Sequence, residues 1–289
     1  MAVNTNHSKI IVENLKYKYL ATDFLALDGI SFSVEQGEFI GIIGKNDSGK
    51  STLCQAIAGL VPNFHKGAYG GRIMINELEV KNVDLDELCK KVGIVFQNPF
   101  NQVTGSKLTV YEEIAFGLEN LGIERQEMIR RIDEAMELLD IMKYKDREPF
   151  DLSGGQMQRM AIAGIIAMQP EVIVLDEPTS QLDPQGREEV YQAVQKLSKK
   201  GITIFMVEHN MEKIASYSDR VLLLDGGRLI DFDTPQRIFS REDLDTYGVE
   251  PPAFTKICRE LDQRNAKTGC YPVTLEEAYD LLSKERREM

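Results

Sequence analysis

The sequence predicts an α/β fold with a mainly parallel core sheet, an antiparallel β subdomain, a helical subdomain and a small C-terminal helical extension. Three short, mostly apolar runs, at 39–43, 172–175 and 202–207, have the pattern of strands buried on both faces of a parallel sheet. Helical patterns separate these runs along the chain. Ligands in open α/β sheets gather at the carboxyl ends of strands, so the residues that follow each run are candidates for a site.

The chain before the central strand is predicted to form antiparallel strands. Residues 10–19 and 30–34 alternate along the chain and are rich in side chains that favour strands. Further strands are predicted at 72–76, 92–96 and 221–224, the last of which leads through Asp225-Gly226-Gly227 into a hairpin.

Residues 98–168 are predicted to be mostly helical, as an insertion between two strands of the sheet. Thr109 and Glu112 have the spacing of a capping box, which marks the start of a helix. Residues 124–142 then repeat apolar side chains at helical intervals.

The pattern changes after about residue 241, which predicts an appended helical unit. Two helical stretches follow, at 252–265 and 274–287, and Thr274 with Glu277 gives the second a capping box. The predicted organisation is a main domain at 1–240, which includes the helical subdomain at about 98–168, and an extension at 241–289.

Composition and charge exclude several classes of function. A formal net charge of −12 argues against broad nucleic-acid contact and against direct adsorption to anionic lipid, because both need Lys/Arg surfaces. No apolar run approaches the ~20 residues that span a bilayer, and the first residues lack a signal-peptide core, so we expect the protein to stay in the cytosol. The four cysteines share no close metal-ligand spacing and are assigned no chemistry.

The stretch GKNDSGKS after the first apolar run predicts a phosphate-binding loop. Gly44 and Gly49 allow backbone geometries that let the intervening amides curl around an anion. The helix that starts near Lys50 directs its dipole at the same anion, Lys50 reaches the outer phosphates, and Ser51 offers a hydroxyl to Mg²⁺. A glycine-rich turn with an incidental Lys-Ser is the alternative. The loop alone predicts nucleotide binding but no reaction.

Asp176 and Glu177 follow the second apolar run and are candidates for the chemistry. Beside a phosphate loop, Asp176 is predicted to hold Mg²⁺, usually through its water shell, and Glu177 to polarise an attacking water. The alternative is two solvated acids at a strand end. Tyr19, at the end of its strand, is a candidate to stack on adenine, and a sheet-edge tyrosine is an equal alternative.

Leu152-Ser153-Gly154-Gly155-Gln156 is the second distinctive stretch. Ser153 and Gln156 fit the capping box S-x-x-Q, and a glycine-paired helix start also exposes amides and a hydroxyl that suit an anion. Two half-sites in one chain predict a head-to-tail pair, in which each chain closes over the nucleotide of the other.

The motifs GKNDSGKS, Gln97, LSGGQMQR, VIVLDEP, SQLD and His209 occur in the order found in the ATP-binding-cassette ATPases, so residues 8 to about 240 resemble that family of P-loop NTPases. The resemblance implies ATP and Mg²⁺ as ligands and 1–240 as the nucleotide-binding domain. It implies catalytic roles for Lys50, Gln97, Glu177 and His209 and metal binding by Ser51, Gln97 and Asp176. It implies nucleotide binding by Tyr19, Gly44, Lys45, Asn46, Asp47, Ser48, Gly49, Lys50, Ser51, Thr52, Gln97, Ser153, Gly154, Gly155, Gln156, Asp183 and His209.

Two residues depart from the family pattern. Asp47 occupies a loop position that is commonly glycine, and its carboxylate near a triphosphate is repulsive unless it points outward or meets a cation. Glu208 replaces the threonine that often precedes the switch histidine, a change that is seen in part of the family.

Within the family the chain is similar to the ATPases of energy-coupling factor importers for vitamins or transition-metal ions. The stretches VPNFHKGAYGGRI, FQNPFNQVTGSKLTVYEEIAFGLENLGI and VEHN and the helical tail carry this resemblance. It implies a homodimer or a heterodimer with a paralogue, a transmembrane coupling subunit, a membrane-embedded substrate-binding subunit, no nucleic acid, and a place at the cytoplasmic face of the cell membrane.

Three alternatives stay open at this point. The first is the ATPase of another importer or of an exporter. The second is a soluble cassette protein that acts on DNA or the ribosome, although the chain has neither a long coiled-coil insertion nor a second cassette, and its charge is acidic. The third is a nucleotide-dependent scaffold, which would require a lost catalytic group. The sequence identifies neither the cargo nor the second chain of the pair.

Overall fold

The computed structural model describes residues 9–288, with side chains over residues 10–283. Its strands form a six-stranded and a four-stranded sheet. The strands are Lys9–Tyr19 (β1), Leu27–Glu35 (β2), Phe39–Ile43 (β3), Gly67–Ile75 (β4), Leu78–Glu79 (β5), Val92–Val95 (β6), Val172–Asp176 (β7), Thr203–Val207 (β8), Arg220–Asp225 (β9) and Arg228–Asp233 (β10).

The six-stranded sheet has the order β10-β9-β3-β8-β7-β6, and all of its neighbours pair in parallel except the β9–β10 hairpin. Alternate side chains of its central strands belong to different apolar cores. In β7, Ile173 and Leu175 pack into one core and Val172 and Val174 into the other. Both faces of the sheet are therefore covered, as the continuous apolar runs predict.

The four-stranded sheet has the order β2-β1-β4-β5 and is antiparallel, as predicted. β4 begins five residues before the predicted start, in the glycine-rich stretch at 67–71, because β1 pairs with it from Tyr19 opposite Gly67 to Ile10 opposite Ile75. A Cβ at Gly67 would lie 2.4 Å from the Lys18 carbonyl oxygen, so glycine permits this close approach of two backbones.

The helices occupy the predicted regions, and residues 98–168 are mostly helical or 3₁₀. The helices are Lys50–Ile57 (α1), Leu60–Asn63 (α2), Leu85–Leu88 (α3), Val110–Asn120 (α4), Arg125–Leu138 (α5), Gly154–Ala167 (α6), Pro184–Ser198 (α7), Met211–Tyr217 (α8), Pro235–Phe239 (α9), Ala253–Glu260 (α10) and Leu275–Glu288 (α11). Capping boxes begin α4 at Thr109 and α6 at Ser153, which confirms both predictions.

The C-terminal residues pack against the main core and also form a small core of their own. Leu244, Val249 and Val273 belong to the same apolar cluster as α4 to α7, and Cys258, Tyr271 and Ala278 form the separate cluster. α10 is shorter than the predicted 252–265 because its chain turns at Asp262, which has φ +52°. Thr274 begins α11, since its hydroxyl accepts from the Glu277 amide (3.3 Å), but the Glu277 carboxylate accepts from Val273 and not from Thr274, so this capping box is incomplete. The division at residue 240 stays a prediction.

No helix within residues 9–288 combines the length and the apolar composition that a membrane span needs.

Candidate functional site

An open cavity of about 880 Å³ lies where β3, β6, β7 and β8 end. The residues that follow these four strands converge on it, as the sequence predicts for a parallel sheet. Its lining residues are Tyr19, Phe24, Leu25, Ala26, Asn46, Asp47, Gly49, Lys50, Ser51, Thr52, Gln97, Glu177, His209, Gly226 and Gly227.

The loop between β3 and α1 has the backbone that the sequence predicts. Gly44 and Gly49 have φ of 144° and 102°, which side-chain-bearing residues rarely adopt. A Cβ at Gly44 would lie 2.1 Å from the Leu224 carbonyl oxygen, and one at Gly49 would lie 2.7 Å from that of Ala26. The loop therefore needs glycine at both ends to curl between β9 and the segment before β2.

The β9–β10 hairpin supports this loop from the side, which sequence reasoning missed. Lys45 turns away from the cavity and forms an ion pair with Asp225 (2.7 Å). The Gly227 amide donates to the Ser48 carbonyl (3.0 Å), and the Ser48 side chain is fully buried. Asp225-Gly226-Gly227 is predicted from sequence only as a turn, and its contact with the loop depends on β9 lying next to β3.

The Lys50 ammonium lies against the inner side of the loop. Its Nζ donates to the carbonyl oxygens of Gly44 (2.9 Å) and Lys45 (2.8 Å), and only 6% of the residue is exposed. Burial lowers the pKa of Lys50, while the nearby carboxylates of Glu177, Asp176 and Asp47 act in the opposite direction. The cavity thus has a fixed cation at its base.

Ser51 and Asp176 bring two oxygen ligands together beside Lys50. The Ser51 hydroxyl donates to Asp176 Oδ1 (3.1 Å), and Asp176 is 8% exposed. Burial raises the pKa of Asp176, because a buried carboxylate loses the water that stabilises its charge. A cation beside these oxygens would restore that stabilisation, and a hydroxyl and a carboxylate are the oxygen ligands that Mg²⁺ takes, so the pair fits a magnesium ion.

Glu177 links the ends of three strands. Its Oε2 accepts from Gln97 Nε2 (3.0 Å), and its Oε1 lies 3.0 Å from His209 Nε2. The residue has φ +50°, an uncommon conformation for a residue other than glycine, and its amide donates to the Val207 carbonyl (3.1 Å). Three polar side chains that are far apart in the sequence therefore meet at the mouth of the cavity.

Tyr19 lines the cavity, but its hydroxyl is engaged. It lies 3.2 Å from both Thr52 Oγ1 and Gln55 Oε1, and the ring packs edge-on against Tyr17. Phe24 also lines the cavity and is 66% exposed. Phe24 is not predicted as a site residue from the sequence, where an exposed aromatic in a short loop is a weak signal.

Ser153, Gly154, Gly155, Gln156 and Asp183 do not line the cavity. Ser153 and Gln156 cap α6, and Asp183 caps α7 by accepting from the Gly186 amide (2.9 Å). The two helix starts touch, because a Cβ at Gly155 would lie 2.8 Å from the Gly186 Cα. These residues therefore belong to a second surface of the chain.

Comparisons with known proteins agree with this geometry. The family model described as ABC transporter matches residues 27–180. A putative ABC transporter ATP-binding protein of Pyrococcus abyssi (strain GE5 / Orsay) is 44% identical over 257 residues, which cover 88% of this chain and 91% of that protein. The chain belongs to the ABC transporter ATPases.

This ABC transporter ATPase also has relatives of a narrower type. The energy-coupling factor transporter ATP-binding protein EcfA1 of Lactococcus lactis subsp. lactis (strain IL1403) is 39% identical over 279 residues, which cover 96% of this chain and 98% of that protein.

A further family model, the osmosensitive K⁺ channel His kinase sensor domain, matches residues 122–243.

Two solved structures of ABC ATPases resemble the fold over most of this chain. That of cbiO1 from Clostridium perfringens, described as part of the ABC transporter complex cbiONQ, has a TM-score of 0.73 at 32% identity and covers 91% of this chain and 98% of that one. A dimeric ATP-binding cassette in a post-hydrolysis state, bound to ADP and phosphate, has a TM-score of 0.67 at 29% identity and covers 78% of this chain and 98% of that one.

The predicted fold, family and enzyme class are confirmed. This ABC transporter ATPase binds ATP and couples its hydrolysis to transport, as the ATP-hydrolysing subunit of an importer of the energy-coupling factor type. The soluble DNA or ribosome protein and the non-enzymatic scaffold are the alternatives that these relatives disfavour.

Proposed function

We propose that ATP is hydrolysed in the cavity described above with Glu177 as the general base. The observation that carries the proposal is the meeting of Glu177 with Gln97 and His209, each at 3.0 Å, at the mouth of a phosphate-binding loop. Each of the two contacts holds one oxygen of the Glu177 carboxylate, so the orientation of the side chain is fixed. A carboxylate with a fixed orientation can polarise an attacking water. His209 and Gln97 thus hold the base and sense the outer phosphate.

The phosphates lie on the amides of Gly44 to Lys50 and on the start of α1. Asn46, Asp47, Ser48 and Gly49 contribute backbone, and the Lys50 ammonium neutralises the outer phosphates. Ser51, Asp176 and Gln97 would hold Mg²⁺, which would neutralise charge on the phosphates. Adenine stacks on the Tyr19 ring.

The second surface completes the site of a neighbouring ATPase chain. The start of α6, where Ser153 is exposed, Gly154 and Gln156 are half-buried and Gly155 is buried, presents amides and a hydroxyl to the outer phosphate of that chain, and Asp183 lies between the two chains. Because these residues do not line their own cavity, a head-to-tail pair is the arrangement that uses both surfaces. The pair is a homodimer or a heterodimer with a paralogous ABC ATPase, and the dimeric relative supports it.

The helical subdomain transmits the conformational change that accompanies ATP binding and hydrolysis to the membrane subunits. Phe96, beside Gln97, is fastened to this subdomain, since its amide donates to Gln102 Oε1 (2.9 Å) and its carbonyl accepts from Gln158 Nε2 (3.3 Å). Phe100 and Phe150 are more than half exposed there and offer an apolar surface to a helix.

The partners are a transmembrane coupling subunit and a membrane-embedded substrate-binding subunit. The chain is peripheral at the cytoplasmic face, and the cargo is a vitamin or a transition-metal ion. The relatives named for energy-coupling factor transport and for the cbiONQ complex support this assembly.

A complementation experiment tests the shared site. We expect Lys50→Ala and Ser153→Arg chains each to lose nearly all ATPase activity as purified pairs, while the Ser153→Arg chain still binds ATP. A co-expressed mixture should recover up to roughly a quarter of the wild-type rate, since half of the pairs are mixed and each mixed pair has one intact site. If the second chain of the pair is a paralogue, one of the two substitutions is made in this chain and the other at the corresponding position of the paralogue. A mixture without any recovery would contradict the shared site.

A further inference from the structure

Glu208 is a buried carboxylate that the ATPase chemistry proposed above leaves without a role. It follows β8, directly before His209, and only 6% of the residue is exposed. Its Oε1 accepts from the backbone amides of His209 (2.7 Å) and Asn210 (3.3 Å), and its Oε2 accepts from the Thr179 hydroxyl (2.6 Å). The Glu208 side chain therefore connects the start of the His209 loop to the segment that follows Glu177 through hydrogen bonds.

The register of the sheet explains how two carboxylates diverge here. Asp176 of β7 pairs with Val207 of β8, so Glu177 and Glu208 are the next residues on neighbouring parallel strands. Glu177 turns into the cavity toward His209. Glu208 turns the other way, onto Thr179, whose hydroxyl also lies 3.1 Å from the Tyr191 hydroxyl.

The partners of the buried Glu208 carboxylate are hydrogen-bond donors and not cations. Within residues 10–283, no Lys, Arg or His side chain forms an ion pair with it. Three hydrogen-bond donors stabilise the charge of Glu208. Burial raises the pKa of the Tyr191 hydroxyl, and the nearby Glu208 charge is the second largest cause of that rise. A residue that served only to fill this space would need no charge, whereas three donors from two separate segments converge on this carboxylate.

We propose that Glu208 is a positioning residue for ATP hydrolysis, which holds the His209 loop and the Thr179 segment in the arrangement that lets His209 meet Glu177. The inference rests on the proposed function, because it needs His209 and Glu177 to act together. It also joins Thr179, which lies between Glu177 and Asp183 in the sequence, to the start of the His209 loop.

The imidazole signals of the chain provide a test that is independent of activity. The sequence has three histidines, so ¹⁵N-histidine labelling gives a simple spectrum in which exposed His65 is an internal control. We expect Glu208→Ala to move the His209 Nε2 resonance in the direction in which Glu177→Ala moves it, and to leave His65 unchanged. Glu208→Gln, which keeps an acceptor oxygen for the two amides, should stay near the wild-type position.

Kinetics of the full-length chain, with its partner ATPase where one is required, give the second readout. Glu208→Ala should lower kcat about tenfold, or about 1.4 kcal/mol in the barrier, with KM for ATP within about twofold, while Glu208→Gln stays within about threefold of wild type. Glu188→Ala is the matched control, since Glu188 is an exposed acid that pairs with Lys213 of α8 (2.7 Å), and it should leave kcat unchanged. If Glu208→Ala fails to fold, Thr179→Val removes one donor at constant volume and should shift His209 and kcat in the same direction.

The outcomes separate the two proposals. An unchanged His209 resonance and kcat in the folded Glu208 or Thr179 variant would overturn the positioning role, even if His209→Ala slows hydrolysis. If His209→Ala and wild type hydrolyse ATP equally fast, the proposed function of His209 fails, and the role of Glu208 fails with it.

Discussion

Replacing Glu177 by Gln separates its chemistry from its contacts. The amide has nearly the shape of the carboxylate, so its oxygen still accepts from Gln97 Nε2 and its NH₂ faces His209 Nε2, at the two positions that are now 3.0 Å away. The variant loses the negative charge that makes Glu177 a base. Loss of a general base costs on the order of 10²–10⁴ in rate, which corresponds to about 2.7–5.5 kcal/mol in the barrier.

ATP binding should survive this change. The residues that hold the phosphates are the amides of the loop, Lys50 and the Ser51–Asp176 pair, and none of them bonds to Glu177. Removing one negative charge near a triphosphate lowers repulsion. We therefore expect Glu177→Gln to bind ATP at least as tightly as wild type and to accumulate the ATP-bound pair of chains.

Single-turnover hydrolysis with protein in excess over labelled ATP measures the chemical step, and light scattering with Mg-ATP measures pairing. Glu188→Gln changes an exposed acid in the same way and should hydrolyse ATP at the wild-type rate. A Glu177→Gln chain that hydrolyses ATP within about threefold of wild type would refute the assignment of the base. So would a strictly monomeric chain at saturating Mg-ATP with no paralogue to join it.

Three further changes test other parts of the site. Asp47 has φ +61° and is exposed on the cavity, so Asp47→Asn, which also tolerates this backbone, should remove about 1 kcal/mol of repulsion and tighten ATP binding about fivefold in a titration with a fluorescent ATP analogue. Tyr19→Ala should weaken ATP binding by roughly 1–3 kcal/mol but leave tripolyphosphate binding unchanged, and a larger effect of Phe24→Ala would move the adenine to that ring. Burial raises the pKa of Asp176 in the folded chain above its unfolded value, so its contribution to stability is present at low pH and is lost as pH rises through the folded pKa. Asp176→Asn should therefore raise the Tm of the nucleotide-free chain at neutral pH and reduce that pH dependence, and an unchanged Tm would contradict this.

The sequence predicts the parts of this chain in which local pattern and tertiary structure agree. The apolar runs become β3, β7 and β8, the glycines at 44 and 49 take the predicted backbone, and Ser153 caps α6. The cap depends on residues only three positions apart, and the strands and the loop follow patterns that a short stretch of sequence already shows.

Other features depend on neighbours that are distant along the chain. The sequence predicts β4 only from residue 72, and its glycine-rich start at 67–71 is a strand because β1 lies beside it. Nothing local places the Lys45 side chain against Asp225 of the hairpin, 2.7 Å away. From the sequence, Glu208 is predicted to be only a tolerated replacement for threonine beside the switch histidine. Nothing in the local sequence shows that Thr179 contacts its carboxylate. Sequence reasoning missed these contacts since they depend on the order of strands in the sheet.

The carboxyl ends of β7 and β8 concentrate several features that disfavour folding. Asp176 has a raised pKa, Glu177 has a positive φ, and Glu208 is buried without an ion pair among the described residues. Each is compatible with a stable fold only because the apolar strands around it are fully buried and fix its position. A solvated acid at a strand end would instead take an ordinary backbone and face water. The shared location of these three features next to a phosphate loop is thus an argument for function that is independent of any resemblance to other proteins.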